Sequence, residues 1–163
     1  RLSYAVRDLG AVGTMEPHIY DDAIAVFLLN YLSCAATSSV FQLVRHCVRP
    51  GGQFIFTVPH PALAWLKPHS KPFYFDGEGK TYRGAIDHTL EGLIWRIDGE
   101  STPVRAVHKT FTDYNRLLRE AGFDAMPVVR ELYAEPSHIA LDPDFFGPLE
   151  GIPLHVMFQV PVP

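Results

Sequence analysis

Between Tyr20 and Pro61 two short apolar runs flank one amphipathic stretch, a pattern that predicts strand, helix and strand. Ala23–Leu29 is almost unbroken in its hydrophobicity, and Gln53–Val58 sets Ile, Phe, Thr and Val behind a Gly-Gly pair. Runs of this kind and length suit strands buried on both faces of a parallel sheet. Between them Val40, Phe41, Val44, Cys47 and Val48 recur at helical spacing and form one face. Ser39 and Gln42 read as a capping box at the start of that helix. Arg45 and Arg49 approach its carboxyl end, where the helix dipole favours cations. Pro50-Gly51-Gly52 stops it. Together these elements make one βαβ crossover. Ligands of such sheets bind at the carboxyl ends of the strands, so Phe27–Asn30 and Thr57–Pro61 mark the expected working face.

The remaining pattern extends the sheet. Leu2–Arg7 reads as the end of an earlier strand with Asp8 at its tip. Residues 60–80 are irregular and rich in Pro, His and aromatics. The two apolar stretches on either side of Asp98-Gly99 then predict antiparallel strands, a hairpin inserted into the domain over residues 60–109. Thr112 is expected to cap a further helix whose Tyr114, Leu117, Leu118 and Ala121 share a face, ended by Gly122. Pro127–Ala134 predicts a strand, and Leu154–Val160 alternates as a half-covered strand does.

Composition narrows the classes. A length of 163 residues with 47% hydrophobic content suits one globular domain. A formal charge of -4 leaves no basic stripe, which argues against nucleic acid as a partner. No apolar run approaches the roughly 20 residues that span a bilayer, and residues 1–20 lack the apolar core of a signal peptide. Cys34 and Cys47 make no disulfide framework, so a reducing, cytoplasmic setting is expected. The histidines and cysteines show no metal-ligand spacing. Neither a G-x-S-x-G elbow nor a G-x-G-x-x-G loop occurs, which removes the support for a serine hydrolase or a dinucleotide-dependent dehydrogenase.

The order of elements resembles the second half of a class I S-adenosylmethionine-dependent methyltransferase. Tyr20–Leu32 looks like the fourth strand of that family and the segment after it. Cys47–Pro61 looks like its L-x-P-G-G turn and fifth strand. His108–Phe123 is similar to the stretch running into the last helix, including the Ala-Gly-Phe beyond it, and Gly151–Val162 looks like the reversed seventh strand. The resemblance implies an α/β, Rossmann-like sheet with strands 3 to 7 present and an antiparallel hairpin inserted. It also implies S-adenosylmethionine as cofactor and in-line transfer of its methyl group to a small-molecule acceptor.

Site residues follow from the same resemblance. Asp8 stands where an acidic residue accepts a hydrogen bond from the adenine amino group, with Leu9 beside the ring; a plain turn at Asp8 is the other reading. Val26, Phe27 and Asn30 match the segment that packs against the cofactor near its reactive end. Val26 and Phe27 also suit a core, and Asn30 either faces the methyl-transfer cavity or caps a helix. His60 lies on the acceptor side and could act as a base, although an isolated histidine in a proline-rich loop also suits a structural role. Tyr74, Arg83, His88, Trp95 and His108, with Tyr82 and Lys109, are the candidates to line a substrate pocket under the hairpin, which otherwise reads as a packed layer or dimer contact.

The departure from the family is the missing glycine-rich loop after strand 1 and the missing acidic end of strand 2. Those strands lie between strands 3 and 4, so a sheet starting at strand 3 has a gap in its middle and an exposed strand edge. The chain is therefore expected to be the carboxyl-terminal part of one domain, or to have that gap filled by another segment, and to bind cofactor poorly alone. A degenerate, non-catalytic fold serving dimerisation or assembly is the alternative.

Overall fold

The structure is a computed structural model describing residues 6, 16–66, 69, 71–96 and 98–163. The expected first strand, with Asp8 and Leu9, lies outside the described residues. Strand β1, Ala23–Val26, and strand β2, Gln53–Pro59, run parallel with Ala25 opposite Phe56. Helix α1, Cys34–Cys47, crosses between them. It starts before the expected Ser39 box. Ser33, extended in its backbone, caps the helix by accepting the Ala36 N–H at 3.1 Å. Ala35 and Ala36 then propagate it, and Ser39, inside the helix, donates its hydroxyl back to the Ala35 carbonyl.

Helix α2, Leu63–Leu66, leads into a second sheet of β3, Phe73–Phe75, β4, Thr89–Trp95, and β5, Ser101–Val107. The order is β3-β4-β5 and all pairs are antiparallel. The hairpin is the expected one, while β3 emerges from a stretch expected to be irregular. Pro103 has no N–H to give, and an edge strand such as β5 tolerates that. Helix α3, Phe111–Glu120, is capped by Thr110 rather than Thr112. The Thr110 hydroxyl accepts from Asp113 N–H while the Asp113 carboxylate accepts from Thr110 N–H, a reciprocal pair. Strand β6, Val128–Leu132, short helices α4, Pro136–Leu141, and α5, Pro143–Phe146, a 3-10 turn at Gly147–Leu149, and strand β7, His155–Pro161, complete the chain.

The main sheet has the order β1-β2-β7-β6, with β7 antiparallel to both neighbours. Its core face packs Phe54, Phe56, Val58, Val156, Phe158 and Val160 against Phe41 of α1 and Leu117 and Leu118 of α3. The opposite face carries the cross-strand row Ile24, Ile55, Gln159, Val128. There Ile24 is 71% exposed and Val26 62%. Among the described residues no strand pairs with the outer edge of β1.

A second apolar cluster holds the inserted sheet down: Leu63, Phe75, Leu90 and Ala106 pack with Leu149 and Leu154. Two polar ties fix it to the loop after β1. The Lys109 ammonium donates to the carbonyls of Leu32 and Val107, and Asp87 accepts the Cys34 N–H at 2.6 Å. Gly92 in β4 faces β3 so closely that a Cβ there would lie 2.1 Å from the Tyr74 carbonyl oxygen. Gly92→Ala is therefore expected to prise β3 from β4. Amide exchange at Phe73–Phe75 should accelerate at least tenfold while α1 stays protected.

Candidate functional site

The carboxyl ends of β1 and β2 form the floor of a cavity between the two sheets. Strand β1 ends at Phe27, which adopts φ 48° while its N–H still donates to the Thr57 carbonyl at 3.0 Å. A left-handed backbone costs a non-glycine residue roughly 1–2 kcal/mol, and residues so held cluster at functional sites. The bend turns the Phe27 ring onto His155, with centroids 4.7 Å apart. A 3-10 turn, Leu29–Tyr31, follows and buries Asn30 to 5% exposure. Among the described residues its Oδ1 is buried without a hydrogen-bond partner, an arrangement that leaves about 1–3 kcal/mol of desolvation uncompensated. Because β7 runs in reverse, its first residue, His155, arrives at the same end, paired with Pro59 of β2 and Leu132 of β6.

The cavity measures about 370 Å³, within the range of small-molecule sites. Phe27, Asn30, Pro59 and His155 form its floor, and Phe73, Phe75, Ile94 and Val104 of the inserted sheet its roof. Phe145, Phe146 and Leu149 close one side. Among the described residues no Asp, Glu, Lys or Arg lines it. Burial holds the His155 imidazole below its ordinary range, which favours the neutral ring. A smaller chamber of about 30 Å³ adjoins Asn30, with His60, His108, Lys109 and Tyr114 in its walls. That volume holds one water.

His60 is bound at both ring nitrogens. Nδ1 accepts the Ala62 N–H at 3.2 Å, which places the proton on Nε2, 3.0 Å from Glu131 Oε1. Glu131 also accepts from the Tyr133 hydroxyl at 2.6 Å, and these two hydrogen bonds hold its carboxyl below the usual range. In this arrangement His60 has no free nitrogen to offer a substrate. His108 likewise sits inward, with Nε2 2.8 Å from the Tyr82 carbonyl, and burial lowers its pKa. Burial also pushes the Lys109 ammonium down to about 8.

The candidates from sequence thus separate. Phe27 and Asn30 line the large cavity, and His60 and His108 the adjoining small one. Val26 ends β1 on the exposed face. Tyr74 and Trp95 pack on each other at 5.9 Å, and Trp95 borders a separate groove with Lys71 and Asp142. Arg83 and His88 are exposed and line neither chamber. Sequence reasoning passed over Phe73, Phe75, Phe145, Phe146 and His155. One signal was present: His155 shares with Met157 and Gln159 the polar-side alternation of its strand. Among the described residues no cluster of three His, Cys, Asp or Glu side chains is arranged to hold a metal ion. Nor is any helix among them long and apolar enough to cross a membrane.

No protein-family model and no curated protein matches the chain. Solved structures do. A Listeria monocytogenes protein described as an S-adenosylmethionine-dependent methyltransferase superposes with TM-score 0.67 at 20% identity, covering 99% of this chain and 69% of its own. A methyltransferase of the same description from Mesorhizobium loti gives TM-score 0.61 at 19% identity, covering 95% and 67%. The fold is that of the class I S-adenosylmethionine-dependent methyltransferases. The glycopeptide N-methyltransferase MtfA, solved with S-adenosylmethionine, shares this methyltransferase fold at TM-score 0.56 and 16% identity, covering 96% of this chain and 59% of its own. The chain therefore spans between 59% and 69% of the length of these three methyltransferase-fold structures. In its β1-β2-β7-β6 order the reversed strand is β7, where the resemblance set the reversed seventh strand.

Proposed function

We propose that the chain is the carboxyl-terminal part of a methyltransferase domain that methylates a small-molecule acceptor held between the two sheets. One observation carries the reading: an apolar chamber at the carboxyl ends of β1 and β2, roofed by the inserted sheet, in a methyltransferase fold. Residues 60–109 are then the substrate-covering region. The exposed apolar face around Ile24 and the open edge of β1 support the further reading that additional protein completes the sheet and supplies the remaining cofactor walls.

Val26, Phe27 and Asn30 are the described residues that would hold S-adenosylmethionine, with Asp8 and Leu9 as further contacts. They fit it in chemistry. Val26 offers exposed apolar surface and Asn30 a buried oxygen lacking a donor, and the group to be held is part apolar and part hydrogen-bonding. When bound, it would supply a methyl group on a positively charged sulfur, an electrophile for an aligned nucleophile. The chain's own contribution is alignment and exclusion of water, which can account for much of such a rate. The roof of Phe73, Phe75, Ile94 and Val104 provides the exclusion. His60, tied to Glu131, positions the tip of β2 and is not needed as a base.

Calorimetric titration with S-adenosylhomocysteine tests the reading. Saturable binding is expected, tighter in a chain extended by the protein that precedes β1, and weakened at least tenfold by Asn30→Leu. Equal affinity in both chains would overturn the view that further protein completes the site. Absence of binding in both, together with concentration-dependent dimerisation that Ile24→Lys abolishes, would favour the assembly module instead.

A further inference from the structure

Resting on the methyl-transfer reading, we propose that His155 is the catalytic proton acceptor of the large cavity. The acceptor it serves is an uncharged, flat, apolar molecule presenting a phenol-type hydroxyl or aromatic N–H. The ligand class follows from the walls. An acceptor bearing a carboxylate, phosphate or ammonium would find no opposite charge among the described residues there, and burying an unpaired charge is strongly unfavourable. Six aromatic rings, of Phe27, Tyr31, Phe73, Phe75, Phe145 and Phe146, offer faces and edges to a flat guest.

His155 is the imidazole placed for the proton. Its ring lies parallel to Phe73, 11° between planes at 6.0 Å, and against Phe27 on the other contact. Among the described residues no hydrogen bond or neighbouring charge contributes to its titration, whereas His60 and His108 are engaged by Glu131, Ala62 and Tyr82. The groups facing it are Pro59 of β2, Leu132 of β6, Phe27 after β1 and Phe73 of β3. None of them titrates. Among the described residues the one phenol in the cavity wall is Tyr31, and Glu131, next to Leu132, is bonded to His60 and Tyr133. A neutral imidazole with a free nitrogen is the form that accepts a proton. The acceptor oxygen would bond to the methyl carbon as the carbon–sulfur bond breaks, its electron pair staying on sulfur to leave a neutral thioether, while the O–H bond breaks with its pair staying on oxygen. The proton bonds to the imidazole lone pair and passes from there to water.

The test uses 2-naphthol and 2-naphthoate as probes with the chain labelled at histidine with nitrogen-15. Saturable 2-naphthol binding is expected to shift the His155 ring nitrogens and leave those of His60 in place. 2-Naphthoate should bind at least tenfold more weakly. Phe145→Ala should weaken 2-naphthol at least fivefold, and the exposed Arg119→Ala should not. His155→Gln should keep 2-naphthol within about threefold. In the complete enzyme it should lower kcat on a phenolic acceptor about 100-fold and remove the acid limb of the pH profile. A His155 signal unmoved by 2-naphthol, or 2-naphthoate binding as tightly, would overturn the proposal. Binding with the His155 shift but no methyl transfer to any acceptor would overturn the methyl-transfer reading and the catalytic role, leaving the ligand class in place.

Discussion

Replacing Phe56 with alanine is expected to cost about 3–5 kcal/mol, a large share of the roughly 5–15 kcal/mol that usually holds a domain folded. Phe56 has no exposed surface and sits at the centre of the main core. Its ring stacks on Phe158 at 4.6 Å and 10°, and meets Phe54 at 5.1 Å, Phe41 at 5.5 Å and Tyr114 at 5.8 Å. These neighbours come from two strands and both long helices, so the cavity left by alanine cannot collapse without moving an element. Urea denaturation measures the loss. Its neighbour Ile55 points to the opposite, partly open face, and Ile55→Ala should cost less than half as much. Equal costs would mean that the sheet's second face is as well packed as its first.

Lys109→Ala should be the second large effect, of about 2–4 kcal/mol. Lys109 is 2% exposed and its ammonium joins Val107, at the end of the roof, to Leu32, at the end of the floor. Truncation empties its channel and strips both carbonyls of their donor. Amide exchange in β5 and in Leu29–Leu32 should accelerate together, because one side chain ties both. The substitution also has a pH signature. Folding lowers the Lys109 pKa from 10.5 to about 8, so between those values the unfolded chain holds a proton that the folded chain has released. Stability of the wild type relative to the variant is therefore lowest below pH 8 and rises as pH climbs toward 10.5. Chemical denaturation at pH 7, 9 and 10 reads the trend. A flat difference would mean that the ammonium is not desolvated.

The sequence carried the framework further than the site. The crossover was legible because two apolar runs and a Pro-Gly-Gly stop are local signals, and the helix faces because Val40, Phe41, Tyr114 and Leu118 keep their spacing wherever the helix starts. The starts themselves were misplaced. Ser33 and Thr110 win over Ser39 and Thr112 because capping depends on which residue leaves the extended backbone first, and on whether an acid such as Asp113 can reciprocate. Strand β3 was hidden by its length: three residues between a Pro- and His-containing stretch and Asp76-Gly77 form a strand only because Gly92 lets the neighbouring backbone approach. The cavity was less legible still. Its walls come from Phe27, Phe73, Phe145 and His155, separated by more than a hundred residues at the extremes and linked by no shared period. Only the register of β7 against β2 and β6 brings the last of them in.

The reversal of β7 also governs when the chamber can exist. A strand running with its neighbours would deliver its final residue to that end; this one delivers His155 as it begins, after the whole roof and both long helices have emerged from the ribosome. Until then β2 and β6 have no common partner, and Phe56 lacks the ring that stacks on it. The chamber is thus a property of a chain that already includes β7, and a nascent chain halted before residue 155 would display an open aromatic seam.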